Sequence, residues 1–184
     1  MSGLASQAQL RASVLRWSLF TVPACVLIGF LSGQAGGSGP GNPWFDALER
    51  PALFPDPMWF GIVWSVLYVL MGVAVALVGA AWGARGRTQA LVSFGVLFAL
   101  LTAWSPVFFA LHQMTGALVL LAVIVALTLL TILLFARVRK VAAWLMVPLL
   151  AWTSFATLLN YEFLRLNPEF DGANPTQAQQ RIEI

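Results

Sequence analysis

A chain of 184 residues that is 60% hydrophobic and only 9% charged is not an ordinary soluble domain, in which about a quarter of the residues carry charge. A single cysteine, Cys25, excludes an internal disulfide, and one cysteine with one histidine excludes a soft-metal site with several such ligands. The net charge of +3 does not point to nucleic acid, because the basic residues are scattered between apolar runs instead of clustered on a soluble face.

Residues 1–16 are small and polar with Arg11 and Arg16, Trp17–Leu31 is apolar, and a glycine-rich stretch follows. This opening imitates a cleavable signal peptide. It is also long enough to be a retained first transmembrane helix, Val14–Leu31, if Arg16 snorkels to the interface; the second reading is favoured. Residues 32–57 then form a long loop, flexible in its glycine-rich part. Asn42 followed by Pro43 predicts a capped short helix carrying Trp44 to Glu49. Pro51, Pro55 and Pro57 each fix φ and push the preceding residue out of the α region, so the loop is pre-ordered and helix resumes only after Pro57.

No charge lies between Asp56 and Arg85, which predicts a second transmembrane helix over Met58–Trp82. Phe60, Trp64 and Tyr68 recur every four residues and share one of its faces. From Arg87 to Arg137 the chain carries no charge apart from His112. As one helix this run would span roughly 74 Å, more than twice the hydrocarbon core of about 30 Å. It must fold back, and His112-Gln113-Met114-Thr115-Gly116 is its polar break. The third and fourth helices are then Thr88–Leu111 and Thr115–Phe135, and the uncharged run between Lys140 and Glu162 is the fifth. The expected organisation is a polar segment 1–13, a five-transmembrane-helix bundle over 14–167, all-α in class, and a disordered polar tail 168–184.

Five spans put the termini on opposite sides. Arg11, Arg16, Arg85, Arg87, Arg137, Arg139 and Lys140, seven of the ten basic residues, fall on the side of the N-terminus, and all seven acidic residues fall on the other. The positive-inside rule makes the N-terminus cytoplasmic and puts loop 32–57 and the C-terminus outside, periplasmic in a bacterial membrane.

Trp17, Trp44, Trp82 and Trp144 fit the interfacial belt. Trp64, Trp104 and Trp152 fit it less well: they sit on three different helices at one depth near the proline loop. They line one pocket or form a girdle, and periodicity leaves both open. Pro106 and Pro148 free helix carbonyls that must be satisfied inside the protein. Asn160 is expected to cap or pack near the end of the fifth helix, His112 to lie in an interfacial loop, and Cys25 to be a small packing residue. Gly95, Ala99 and Ala103 form a small-residue stripe on the third helix, which serves internal packing or a homodimer contact. No catalytic set and no metal site is visible.

These motifs resemble one family, TspO/MBR, the tryptophan-rich sensory proteins that include the translocator protein. Trp44 to Pro51 is similar to the family's loop signature. Trp64-Ser65-Val66-Leu67-Tyr68 resembles its second-helix motif, Trp104-Ser105-Pro106-Val107-Phe108-Phe109 its third-helix motif, and Pro148 to Asn160 its fifth-helix motif. Leu53, Asp56, Leu101 and Leu149 depart from the pattern, and leucine at 101 and 149 makes the site more apolar. The resemblance implies a five-helix bundle, often dimeric, that binds porphyrins and other hydrophobic ligands under the first loop. Trp64, Trp104 and Trp152 would line the site with Tyr68, Phe108, Phe155, Ala156 and Leu101. Arg50 would be the cation at the rim for ligand carboxylates. No cofactor is required, and a bound porphyrin or haem is the ligand the resemblance admits. The role implied is regulatory or stress-sensing; the alternatives are a transporter of such amphiphiles and a light-dependent porphyrin-degrading enzyme.

Overall fold

The structure, a computed structural model, describes residues 7–39 and 41–173. It is built from helices: α1 (Gln7–Gly36), the short α2 (Pro43–Asp46), α3 (Pro57–Gly79), α4 (Arg87–Ser105), α5 (Met114–Val138) and α6 (Lys140–Leu166). A π turn, Pro106–Ala110, prolongs α4, and a 3-10 turn, Pro168–Phe170, follows α6. Among the described residues five segments are long and apolar enough to cross a membrane: Arg11–Gly36, Pro57–Gly79, Arg87–Ala110, Met114–Val138 and Lys140–Leu166. The all-α, five-helix reading therefore holds.

The long helices close a ring in the order α1, α3, α6, α5, α4, with α4 returning to α1. Glycines set the tightest approach. A Cβ on Gly72 would come within 2.5 Å of the Val22 Cα, so α1 and α3 meet backbone to backbone, and the Thr21 hydroxyl reaches the Gly72 carbonyl at 2.7 Å. Small residues that let helices approach and hydroxyls that bond across them are the usual means of packing helices in lipid. One core fills the bundle through Met71, Val78, Leu97, Ile124, Met146 and Leu149. A second, at the end where α4 turns into α5, holds Trp44, Phe45, Phe108, Met114, Leu159 and Phe163.

The helix ends differ from expectation in instructive ways. α1 runs on through Ser32–Gly36, where a flexible loop was expected. Ser32 Oγ donates to the Thr102 carbonyl, and any side chain at Gly36 would run into the Ser105 backbone. Packing against α4 thus overrides glycine's weak helix propensity. Thr102 is four residues before Pro106, so its carbonyl is the one that proline's missing N–H leaves free; α1 satisfies it. The chain beyond Pro106 widens to the π pattern, with Leu111 N bonding Pro106 O at 2.9 Å, so the third span is α helix only to Ser105. α2 ends at Asp46, short of Glu49, and α3 starts at Pro57 itself. There Pro57 takes the first helical position and the Asp56 side chain accepts from Met58 N; this is where proline is tolerated. α3 stops at Gly79, before Trp82, and α5 runs on to Val138. Only Arg139 separates α5 from α6. Residues 168–173 of the polar tail are folded onto the bundle, while residues 1–6 and 174–184 lie outside the described residues.

Candidate functional site

The loop between α1 and α3 folds down into the bundle. Asn42 begins this. Its Oδ1 accepts from Phe45 N at 3.1 Å, capping α2, while its Nδ2 donates to Gly37 O at 3.1 Å and to Phe109 O at 3.2 Å. One side chain therefore starts α2 and ties it to the π turn. The cap aims Trp44, Phe45 and Leu48 inward, all buried to about 5% exposure or less. Trp44, expected at the membrane interface, is instead inside the second core. Its ring stacks on His112 with centroids 4.5 Å apart, and its indole N–H donates to the Phe170 carbonyl. The available signal was local: residues 44, 45 and 48 share one face of a capped turn.

Phe54, from the proline loop, is the second inserted ring. It stacks on Phe60 of α3 at 5.4 Å and meets Phe163 of α6 edge-on at 5.6 Å. Phe45 lies 5.9 Å away on its other side. Phe60 continues edge-on to Trp152, so an aromatic chain runs from α2 through the loop to α6. Neither Phe54 nor Phe163 was singled out in the sequence, because one sits in the proline loop and the other beside Glu162, and the rings they meet are distant in the chain. Arg50 stands over the Phe54 ring at 5.6 Å and 3.6 Å from Asp46, with about half of its side chain exposed; it is at the rim of this region.

The predicted site residues surround the junction of the two cores. Trp104 packs against both and stacks on Phe108 at 5.3 Å. Trp64 stacks on Tyr68 at 5.4 Å, and Trp152 lies 5.5 Å from Phe155. Trp64, Tyr68, Trp152 and Ala156 are half-buried against the first core and Phe155 against the second; Leu101 is buried within the first. Among the described residues no ring contact joins the three indoles directly. A groove of about 640 Å³ runs between α3 and α6, with Trp59, Ile62 and Val66 on one wall, Ala151, Trp152 and Phe155 on the other, and Pro55 at the mouth. Trp152 and Phe155 line it; Trp64 and Trp104 do not.

Polar atoms are few here and therefore informative. The Trp104 indole N–H and the Asn160 Oδ1 are buried without a hydrogen-bond partner. Asn160 Nδ2 donates to Met114 O at 3.0 Å, which staples α6 to the start of α5, the packing role expected of it. His112, expected in an interfacial loop, is buried at 7% exposure with φ of 55°; its Nδ1 lies 3.1 Å from the Ala173 carbonyl. The stack with Trp44 and this contact give it a structural role. Cys25 is free and buried in the first core. Among the described residues no group of three His, Cys, Asp or Glu side chains could hold a metal ion.

The sequence model of the TspO/MBR family matches residues 21–166. The chain is 35% identical to "Tryptophan-rich protein TspO" of Chlorobaculum tepidum over 145 residues, 78% of this chain and 91% of that protein. It is 36% identical to "Translocator protein" of Homo sapiens over 150 residues, 79% and 87% of the two chains. With "Protein CrtK" of Rhodobacter capsulatus it shares 33% identity over 126 residues, 68% and 79% of the two. With a match across the bundle and relatives covered over most of their length, this integral membrane protein belongs to the TspO/MBR family.

Proposed function

We propose that the protein is a regulatory or stress-sensing binder of flat hydrophobic ligands of the tetrapyrrole class, held among Trp64, Trp104 and Trp152 beneath the loop of residues 37–57. The observation that carries this reading is the Trp104 indole N–H, buried among stacked rings with no acceptor among the described residues. Leaving such a donor unpaired costs about 1–3 kcal/mol, a cost that a ligand ring nitrogen or carbonyl would remove. The indole faces suit a conjugated macrocycle. Arg50 at the rim suits its carboxylates, and the groove beside Trp152 and Phe155 supplies an apolar way in from the bilayer. Tyr68, Phe108, Ala156 and Leu101 complete the wall.

The relatives named sensory protein and translocator protein support a role exercised in the membrane. A proton-driven transporter fits less well. Among the described residues the spans hold one acidic side chain, Glu162, and it is paired with Arg165 at 2.7 Å, whereas proton relays need intramembrane carboxylates. In a bacterial membrane the basic end of the bundle faces the cytoplasm and the loop faces the periplasm.

The working unit is a homodimer through the Gly95, Ala99 and Ala103 stripe. Gly95 and Ala99 are exposed, and nothing lies within 4 Å of a Cβ built on Gly95, as a face awaiting another helix requires. Quenching of tryptophan fluorescence by a panel of porphyrins tests the binding. Saturable quenching is expected for anionic porphyrins, and its absence across the panel overturns the reading.

A further inference from the structure

The opposite end of the bundle carries a second concavity with different chemistry. A groove of about 300 Å³ lies where the chain enters α4 and leaves α5, lined by Arg85, Gly86, Gln89, Leu134 and Arg137. Two arginines and one glutamine line one small space. Among the described residues the ion pairs are Asp46 with Arg50 and Glu162 with Arg165, both at the far end, so no described acid is paired with Arg85 or Arg137.

The neighbouring cation behaves differently. Arg87 donates to the Gly79 carbonyl through Nε at 3.0 Å and Nη2 at 2.7 Å, and its guanidinium lies 4.1 Å from the Trp82 ring. Arg87 thus caps the end of α3 and is occupied. Among the described residues Arg85 and Arg137 have no such partner.

Farther into the spans, the exposed residues of α4 and α5 are apolar. The Ser93 and Thr131 hydroxyls, 2.8 Å apart, fix the register of α4 against α5. On α5, Leu130, Leu133, Leu134 and Arg137 share one face by their spacing. Leu130 and Leu133 are exposed, as are Val92 and Val96 on α4. Leu134 thus sits between a cationic mouth at the end of both spans and an apolar track running into the bilayer.

We propose that this groove binds the phosphate headgroup of an anionic membrane phospholipid between Arg85 and Arg137, with an acyl chain laid along Leu130, Leu133, Val92 and Val96. Guanidinium forks match phosphate oxygens in geometry and charge. The depth is also right, because both arginines flank the ends of membrane spans, where lipid phosphates lie. A free phosphate ion would use the mouth but not the track.

The protein in nanodiscs of mixed phosphatidylglycerol and phosphatidylcholine, released and analysed by native mass spectrometry, tests this. The parent is expected to retain phosphatidylglycerol in preference. Arg85→Gln with Arg137→Gln should reduce that preference by about fivefold for each arginine removed. Arg139→Gln with Lys140→Gln, the same charge change outside the groove, should leave it intact. Gln89→Trp, which keeps every charge but fills the groove, should also abolish it. Equal losses from the two charge-removing pairs, or full retention in Gln89→Trp, would overturn the site. Displacement of the lipid by inorganic phosphate alone would reassign it to a free anion and overturn the lipid reading.

Discussion

Asn167 and Glu49 exchange two hydrogen bonds across 118 residues of chain: Glu49 N donates to Asn167 Oδ1 at 2.7 Å, and Asn167 Nδ2 donates back to the Glu49 carbonyl at 3.0 Å. The asparagine acts as a short piece of backbone, pairing with the loop as a strand would. It is buried, and its Nδ2 also reaches Phe163 O at 2.9 Å. The loop that covers the proposed ligand region is therefore latched to the end of α6 by one side chain. Asn167→Ala should cost about 1–3 kcal/mol of stability. It should also raise hydrogen exchange at residues 44–54 while leaving the centre of α3 protected. Unchanged exchange in the loop would show that the aromatic insertions alone hold it down.

Phe54 is the apolar counterpart of that latch. It wedges between Phe60 and Phe163 beneath Arg50, and it is only half-buried, so removing it should perturb the bundle little. Phe54→Ala is expected to accelerate both association and release of a bound porphyrin in stopped-flow quenching, with a small change in equilibrium affinity. A large fall in affinity with unchanged rates would make Phe54 a ligand contact and not a gate.

How much of this was legible beforehand depends on the kind of signal. The charge gaps gave the spans, because excluding charge from hydrocarbon is the largest energy involved, and the Asn42-Pro43 cap gave α2. The helical run through Ser32–Gly36 was not legible. Its composition argues for a loop, and only the neighbouring α4, with its freed Thr102 carbonyl, makes it helix. Trp44 was misread for a related reason: a tryptophan near a span end reads as an interfacial residue unless the fold of the loop is known. The Asn167 latch joins residues far apart in sequence, and nothing local marks Asn167 and Glu49 as partners. Within the proposed site the groove beside Trp152, and the sides of it on which Trp64 and Trp104 fall, depend on helix rotations that the pattern of an apolar helix does not encode.

The glycines offer a paired test of helix packing. Gly72→Ala places a methyl against the Val22 backbone, 2.5 Å from its Cα. It should destabilise the bundle by about 1–3 kcal/mol, as overpacking does, which a drop in thermal midpoint in detergent would report. Gly95→Ala meets nothing within 4 Å inside one protomer, so the fold of the protomer should be unchanged or gain up to about 1 kcal/mol from helix propensity, while the proposed dimer should weaken. Ala99→Leu, on the same exposed stripe, should leave the fold intact and shift the protein toward monomer in light scattering. An unchanged mass would remove the stripe from the proposed dimer contact.

The three indoles give the most direct test of the ligand site. Each stacking ring contributes about 1 kcal/mol beyond its buried area, so Trp64→Leu, Trp104→Leu and Trp152→Leu should each weaken porphyrin binding by about fivefold. Trp104→Leu should cost more for ligands that can accept a hydrogen bond, because it also removes the buried N–H that has no partner among the described residues. Trp104→Phe separates the two effects, since it keeps a ring to stack on and deletes only the donor. Trp144→Leu is the control: that ring is 73% exposed and should not matter. Leu101→Asn adds a buried amide to the first core. It should lower stability by about 1–3 kcal/mol while tightening binding of ligands with a carbonyl facing α4, an exchange that a merely structural leucine would not give. Equal losses from Trp144→Leu and the three site variants would mean general destabilisation. Saturable binding indifferent to all three would move the ligand elsewhere in the bundle.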